Sequence, residues 1–455
     1  ATGGQIGAAE MLVASAACGV LYALFSGQPL IILGGIGPLL IFTIILYRLC
    51  GDFGFGGEFL SVYAWVGIWT SLLTILLGVT NASNLMKYFT RFTDEIFSAL
   101  MSLIFIYEAG KAVIAPFRSE TVAYDSAFFS LILALGTFYI AMTLAGIRRS
   151  NYLFPWMREF LADFGPSIAL VSMATMAWFF SDAVPLKTLE VGSGFGTTSG
   201  RPWLVDLTAI PMWLRLAAIG PAMLATVLVF LSQNISARLV NSAENKLEKG
   251  DAYHWDLTLV GMMIGGCSLF GFPWLVAATV RSLAHVRALA DVEEVVGPRG
   301  IRKEQIIHVT ENRVTGLVIH LLIAATLFVL PLLKYVPMSA LYGIFLFMGF
   351  VSLRGLQFVE RLSLWVTDSA MYPVNHYTRR IPIRTIHLFT LIQFACLMVL
   401  CVTNVSPYEP VRILFPVFIA LLVPIRALMG RFFDADQLAF LDADEEPDDE
   451  ELHWV

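Results

Sequence analysis

Long apolar runs dominate the chain, and short polar or Gly/Pro-rich breaks punctuate them. Residues 11–47 carry no charge. At about 20 residues per crossing this stretch is long enough for two membrane segments. Gly27-Gln28-Pro29 breaks it once, and Gly34-Gly35-Ile36-Gly37-Pro38-Leu39-Leu40 breaks it again. Residues 59–86 form one long span with Trp65 and Trp69. Further spans are predicted over 96–107, 126–147, 164–181, 216–237, 257–270, 314–333, 335–353, 385–404 and 408–428. Residues 185–211 form a Gly/Ser/Thr-rich loop. With a segment opening at Pro273, the pattern predicts about 13 segments, two of them broken.

The second break, Gly271-Phe272-Pro273-Trp274-Leu275-Val276-Ala277-Ala278-Thr279-Val280-Arg281, resembles the one at residues 34–40. Proline fits the first turn of a helix, where its missing N–H would have no partner. A helix starting at Pro273 inside a membrane turns its free N–H groups and positive dipole end toward whatever faces it. Such an end holds an anion without an all-ionic pocket. Two interrupted segments, one in each half of a chain, point to a central transporter site. The alternatives are a proline kink at residue 273 and a plain inter-helix turn at residues 34–40.

Polar residues inside the apolar runs narrow the chemistry. Ser232-Gln233-Asn234 and Ser236 end the span 216–237. Buried in lipid they must meet one another, water, a ligand or a neighbouring helix. Glu108 is either a functional acid or half of a Glu108–Lys111 pair at helical spacing near the water. Arg281 is either a central cation or a snorkelling residue at a helix end. An arginine near the bilayer centre costs on the order of 3 kcal/mol. A helix N-terminus stabilises an anion by about 0.3–2 kcal/mol. A bound anion offsets the arginine, and a carrier with an unpaired central cation crosses poorly when empty. Obligatory exchange follows.

Composition agrees: 57% of residues are hydrophobic, 14% are charged, and the mean hydropathy is +0.74. Soluble domains run at about 25% charged. The net charge of −6 comes from the acidic stretch at residues 442–451, read as a solvated end, and no basic patch invites nucleic acid. Cys18, Cys50, Cys267, Cys396 and Cys401 lie in or beside apolar runs and read as small hydrophobes. There is no nucleophile–base pair, metal-spaced cluster or phosphate loop, so neither enzyme chemistry nor a metal or organic cofactor is expected. Lys and Arg cluster at alternate loops: 87–91, 148–158, 238–249, 287–313 and 354–384. The positive-inside rule makes these cytoplasmic, with the C-terminus inside and Ala1 outside.

Several ordered stretches resemble the bicarbonate transporter family of band 3-like anion exchangers. They are Gln28-Pro29-Leu30 with Gly37-Pro38-Leu39-Leu40, Asp94-Glu95-Ile96-Phe97-Ser98 through Tyr107-Glu108, and Asp163-Phe164-Gly165. Phe272-Pro273-Trp274-Leu275 through Arg281-Ser282, His285, Gly343-Ile344-Phe345-Leu346, His387-Leu388-Phe389-Thr390 and Leu441-Asp442-Ala443-Asp444 extend the likeness over nearly the whole chain. The resemblance implies an all-α polytopic membrane protein of two inverted repeats of seven spans. It also implies core and gate domains, a homodimer, and half-helices meeting around the anion at the third and tenth spans. The repeats are expected at residues 1–205, lacking the first span, and 206–430, with an acidic cytoplasmic tail at 431–455. The absence of a large N-terminal domain points to a bacterial inner-membrane protein.

The departures bear on coupling. In the family's exchangers a Glu of the eighth span accompanies the tenth-span Arg. In sodium-coupled members the acid is Asp and the Arg is usually missing. Here Ser232 holds the acidic position while Arg281 is present, and Ser236 matches a hydroxyl of the sodium-coupled members. Ile36 replaces a serine of the exchangers' third-span break. Asn404 stands at an inhibitor-reactive lysine, and Lys111 is one place off another. The expected activity is bicarbonate/chloride exchange. Ile36, Gly37, Pro38, Ser232, Ser236, Pro273, Thr279, Val280 and Arg281 line the site. His285, one turn on, reads as structural. The alternatives are sodium-coupled bicarbonate transport, with sodium on Ser232, Ser236 and Thr279, and borate transport. Residues 441–444 suggest carbonic anhydrase docking only weakly.

Overall fold

The structure is a computed structural model and describes residues 2–189, 196–296, 302–373, 376–408, 411–412 and 414–442. The chain opens with α1 (Ala8–Phe25), strand β1 (Leu33–Gly34), α2 (Gly37–Asp52), α3 (Phe59–Val79), α4 (Arg91–Ile114) and α5 (Tyr124–Gly146). It continues through α6 (Pro155–Asp163), α7 (Gly165–Phe179), α8 (Met212–Ala217), α9 (Ile219–Val240), α10 (Tyr253–Leu269), β2 (Val276–Ala277) and α11 (Thr279–Ala288). Then come β3 (Ala290–Val296), β4 (Arg302–Val309), α12 (Val314–Ala325), α13 (Leu330–Leu333), α14 (Met338–Leu353), α15 (Gln357–Ser363), α16 (His376–Arg380) and α17 (Ile383–Val405). Short helices at Phe415–Ala420, Leu422–Met429 and Ala435–Asp442 follow.

Among the described residues, 6 helices are long and apolar enough to cross a membrane, or up to 8 if each of two bent pairs is one span. Other expected segments are built from shorter pieces. Residues 314–333 form α12 and the short α13, and 408–428 contain two short helices. The α6–α7 pair bends by 65° where Gly165 and a proline start the second helix. A proline there cannot continue the preceding helical hydrogen bonds. The antiparallel β3–β4 hairpin lies in a basic segment that carries no strand signal in the sequence reading.

The chain divides into two units. One takes Ala1–Phe97, Phe195–Leu327 and Gln357–Val455, and the other Ser98–Gly194 and Phe328–Leu356. The expected halves, 1–205 and 206–430, each contribute to both.

In the larger unit α3 packs along α10 and α9, and α1 packs along α12. Gly261 and Gly265 face Ile75 and Ser71, so small residues line the α3–α10 contact, as close packing in membranes requires. Tyr22, Phe59, Tyr63, Val66, Val260 and Trp274 belong to its buried core. Cys18, Cys50 and Cys267 are buried, Cys396 and Cys401 are half-buried, and all five are free thiols. Arg361 is wholly buried and donates to Glu95 Oε2 at 2.6 Å, Gln393 Oε1 at 2.9 Å and Gln357 Oε1 at 3.1 Å. At the end of the acidic stretch's first residue the chain is tied down. Asp442 accepts from the Phe92 backbone N–H at 3.1 Å and pairs with Arg426. Leu441 is buried. The remainder of the acidic stretch, including Ala443 and Asp444, and Ala1 lie outside the described residues.

In the smaller unit α5 packs against α7 and α14. Phe105 meets Phe345, and Phe138 meets Phe350, at ring distances of 5.9 and 5.3 Å. Among the described residues Glu108 and Lys111 are both exposed and form no ion pair with each other.

Candidate functional site

The two broken segments meet. β1 pairs antiparallel with β2, Leu33 opposite Ala277 and Gly34 opposite Val276. The ribbon is extended by Ala278 N donating to Ile32 O at 2.9 Å and by Ile32 N donating to Ser282 Oγ at 3.0 Å. Each strand runs straight into a helix, through Ile36 into α2 and through Ala278 into α11. The two helices therefore start from opposite ends of one short ribbon. This is the local signature of a twofold relation between the segments.

Neither helix start has a side-chain cap. The first-turn N–H groups of Gly37 and Leu39, and of Thr279, Val280 and Arg281, have no intrahelical acceptor. Pro38 occupies the first turn of α2 as expected. Pro273 does not start a helix, and that expectation is corrected. The helix begins at Thr279, and Pro273 lies half-buried in an extended stretch.

The cause is tertiary. Gly271 has φ +63°, a turn that a side chain would strain, and Phe272 N donates to Cys267 O at 2.8 Å. Tyr63 OH donates to Phe272 O at 3.2 Å and its ring stacks on Trp274 at 4.6 Å. The Trp274 indole N–H donates to Ser268 Oγ at 2.9 Å. β1 and α9 then take the polar groups that a helix would have used internally.

The polar end of α9 divides into distinct roles. Gln233 Oε1 accepts from Ala277 N at 2.8 Å, and its Nε2 donates to Tyr22 OH at 3.3 Å. Ser236 donates to Ala277 O at 3.3 Å, and its Oγ lies 2.6 Å from Thr279 Oγ1. Asn234 donates to Phe230 O one turn back. Ser232 is 1% exposed, and its hydroxyl has no partner among the described residues. Helix–helix hydrogen bonding thus accounts for Gln233 and Ser236, and not for Ser232.

Arg281 lies in the first turn of α11 and folds back over the ribbon. A Cβ on Gly34 would come within 2.8 Å of its Nη1. The Arg281 side chain is exposed. Among the described residues no carboxylate pairs with it. His285 is held at both nitrogens, by Leu30 O at 2.9 Å and Thr315 Oγ1 at 2.8 Å, which agrees with a structural reading.

Ile36, Gly37, Pro38, Ser236, Thr279, Val280 and Arg281 therefore gather around the ribbon ends, and Ser232 lies one helical turn from Ser236. Residue reasoning missed Gln233 as the residue that holds β2, Ser282 as the clamp on Ile32, and Gly34 as the floor beneath Arg281. The signals were present: an amide pair in an apolar helix, the Ser beside Arg281, and a glycine pair before Pro38.

A family description, HCO3- transporter integral membrane domain, matches residues 1–124 and 116–446. Among similar proteins is the mouse electroneutral sodium bicarbonate exchanger 1, 35% identical over 97% of this chain and 46% of the relative. The human sodium-driven chloride bicarbonate exchanger is 34% identical over 97% of the chain and 45% of its own length. The zebrafish (Danio rerio) anion exchange protein 3 is 34% identical over 98% and 40%. The chain thus spans less than half the length of these relatives. Among solved structures, the transmembrane domain of the cyanobacterial bicarbonate transporter BicA aligns over 86% of this chain and 89% of its own, at 13% identity and TM-score 0.55. Murine solute carrier 26 family member A9, an anion transporter in the inward-facing state, aligns over 95% and 67%, at 14% identity and TM-score 0.57. The fold is the helical 7+7 inverted-repeat transporter fold. The chain is a multi-pass integral membrane protein and belongs to the bicarbonate transporter family, whose integral membrane domain it matches over nearly its full length.

Proposed function

We propose that the protein carries bicarbonate or a similar small inorganic anion across the membrane, exchanging it for chloride by alternating access. The observation that carries this reading is Arg281 laid over Gly34 between two uncapped helix starts, with no carboxylate beside it among the described residues. A fixed cation and two positive dipole ends beside one short ribbon are the features that favour an anion there. The N–H groups of Gly37, Leu39, Thr279 and Val280, with the Arg281 guanidinium, would hold the anion. Ser232 would offer it a hydroxyl. Pro273 contributes by keeping the stretch before β2 extended. An uncompensated Arg281 makes the empty carrier slow to cross, so anion in is tied to anion out.

Sodium coupling is the second reading. Its support is the cluster of Ser236 Oγ, Thr279 Oγ1 and Ala277 O, together with the names of two relatives. Hard oxygen ligands suit sodium, yet a carboxylate is lacking and Arg281 repels a cation. In this proposal the repeats are residues 1–205 and 206–430, and the protein works as a homodimer in the cell membrane with its C-terminus cytoplasmic. Asp442, held by Phe92 and Arg426, serves the fold, which weakens the suggestion of carbonic anhydrase docking.

The test is internal pH in proteoliposomes under a bicarbonate gradient, with trans chloride and sodium each present or absent. Flux that needs trans chloride, ignores sodium and falls at least tenfold in Arg281→Ala supports exchange. Flux that needs sodium and survives Arg281→Ala refutes it and favours the hydroxyl cluster as a cation site.

A further inference from the structure

We propose that Asp256 is a positioning residue for the anion site: its carboxylate fixes the link between α1 and β1, and through it the place of Gly34 beneath Arg281. The inference rests on the anion-site reading given above. Asp256 lies in the first turn of α10 and is 1% exposed. Its two oxygens serve two consecutive backbone donors. Gly27 N donates to Oδ1 at 2.6 Å, and Gln28 N donates to Oδ2 at 3.1 Å. A buried carboxylate is costly unless such bonds hold it, so the acid and the turn stabilise each other. The fit is close, because a Cβ on Gly27 would collide with Ala252, one turn before Asp256. Neighbouring groups hold the end of α1 as well. The Trp255 indole N–H donates to Phe25 O at 2.7 Å, and Arg313 Nη1 donates to Ala23 O at 3.0 Å and Leu24 O at 3.1 Å.

Residues 26–32 join α1 to β1 outside any helix or strand, so their backbone groups need partners from elsewhere. Asp256 takes the first pair of donors. Gln28, also 1% exposed, then turns its Oε1 to Leu30 N at 3.2 Å, while its Nε2 donates to Asn241 Oδ1 at 2.8 Å. Leu30 O accepts from His285, Ile32 N donates to Ser282, and Ile32 O accepts from Ala278 N. Hydrogen bonds thus run from Asp256 along the link to the strand that carries Gly34. A second route reaches β2. The Tyr22 hydroxyl accepts from Gln233 Nε2 and gives its own hydrogen to Asp256, and Gln233 Oε1 holds Ala277 N. Both strands of the ribbon are therefore tied to one carboxylate. Asparagine has the same shape but a single acceptor oxygen. In its place, either Gly27 N or Gln28 N would face an NH2 group and the turn would have to shift. That shift passes to β1, and so to the distance between Gly34 and the guanidinium.

The experiment uses the purified full chain in proteoliposomes and reads the KM for chloride and the maximal rate of bicarbonate exchange, with thermal unfolding in detergent alongside. Asp256→Asn should raise the KM by about 4-fold, the change that a shift of roughly 1 Å between guanidinium and anion produces. Because it acts through β1, its effect should overlap with that of Gly34→Ala. The double variant should stay well below the product of the two single effects, which is about 16-fold. Glu10→Gln is the control. Glu10 is a buried acid at the other end of α1 that accepts from Gly7 N at 2.9 Å and Thr198 N at 2.7 Å. Its loss should lower the unfolding temperature and leave the KM unchanged. An Asp256→Asn protein that folds and exchanges with the wild-type KM overturns the inference. So does a double variant that reaches the full product, or a Glu10→Gln protein with the same rise in KM, since either makes Asp256 a general support of the helix. If Asp256→Asn gives no monodisperse protein, Gln28→Leu cuts the next bond in the series. It must show the same rise in KM and the same overlap with Gly34→Ala, and a wild-type KM there refutes the inference. A wild type whose exchange is indifferent to Arg281→Ala refutes the underlying site reading, and the inference falls with it. That outcome is distinct from the others.

Discussion

Gly34→Ala isolates the position of Arg281 from its presence. A Cβ at residue 34 would lie 2.8 Å from Arg281 Nη1, 3.5 Å from its Cζ and 3.3 Å from the Ala278 Cβ. Gly34 does not have a positive φ, so alanine fits the backbone. Contacts between heavy atoms relax to about 3.5–4.0 Å, so the guanidinium must retreat by roughly 1 Å. It is the far end of a flexible side chain, and the stability change should stay within about 1 kcal/mol. The anion interaction changes more selectively. For unit charges about 4 Å apart at an effective dielectric of about 20, the attraction is about 4.2 kcal/mol, and at 5 Å it is about 3.3. The difference, about 0.8 kcal/mol, is about a 4-fold weaker anion affinity. The assay is the KM for chloride in bicarbonate exchange by proteoliposomes, with thermal unfolding in detergent as the fold control. Gly266→Ala, a site on α10 where a Cβ meets nothing within 4 Å, serves as the reference. An unchanged KM in a well-folded Gly34→Ala protein would refute the view that Arg281 holds the anion above the ribbon.

Two further substitutions probe the scaffold. Glu95→Gln leaves the wholly buried Arg361 without its carboxylate, and breaking such a pair costs about 3–5 kcal/mol. Gln393, Gln357 and the Phe389 ring still contact the guanidinium, so a loss near the lower end is expected in thermal unfolding, with Glu95→Gln/Arg361→Gln recovering part of it. Gln233→Leu removes the acceptor of the Ala277 N–H and leaves a buried donor unpaired, for a loss of about 1–3 kcal/mol in unfolding stability. Its exchange rate should fall more than that of Asn234→Leu, whose amide bonds only its own helix.

Much of the fold follows from the one-dimensional pattern. Apolar run length determines which stretches cross the membrane, because in lipid the backbone must satisfy its own hydrogen bonds. The breaks at Gly34-Gly35 and Gly271 were visible because glycine and proline interrupt that local bonding. Their meeting was implied by the resemblance to the bicarbonate transporter family. The polar end of α9 announced itself by the high cost of burying such groups.

What the sequence left open depends on partners far away along the chain. The second half-helix starts at Thr279 and not near Pro273 because β1, Gln233 and Tyr63 engage the intervening backbone, and no local propensity encodes those contacts. Glu95 lies beside the predicted span 96–107 and Arg361 falls in the basic loop 354–384, and only packing makes them one buried pair. Local chemistry settles where the chain crosses and breaks, because those terms act between near neighbours. The site is set by tertiary structure, because its charges, free N–H groups and hydroxyls come from segments about 250 residues apart that only the folded chain brings together.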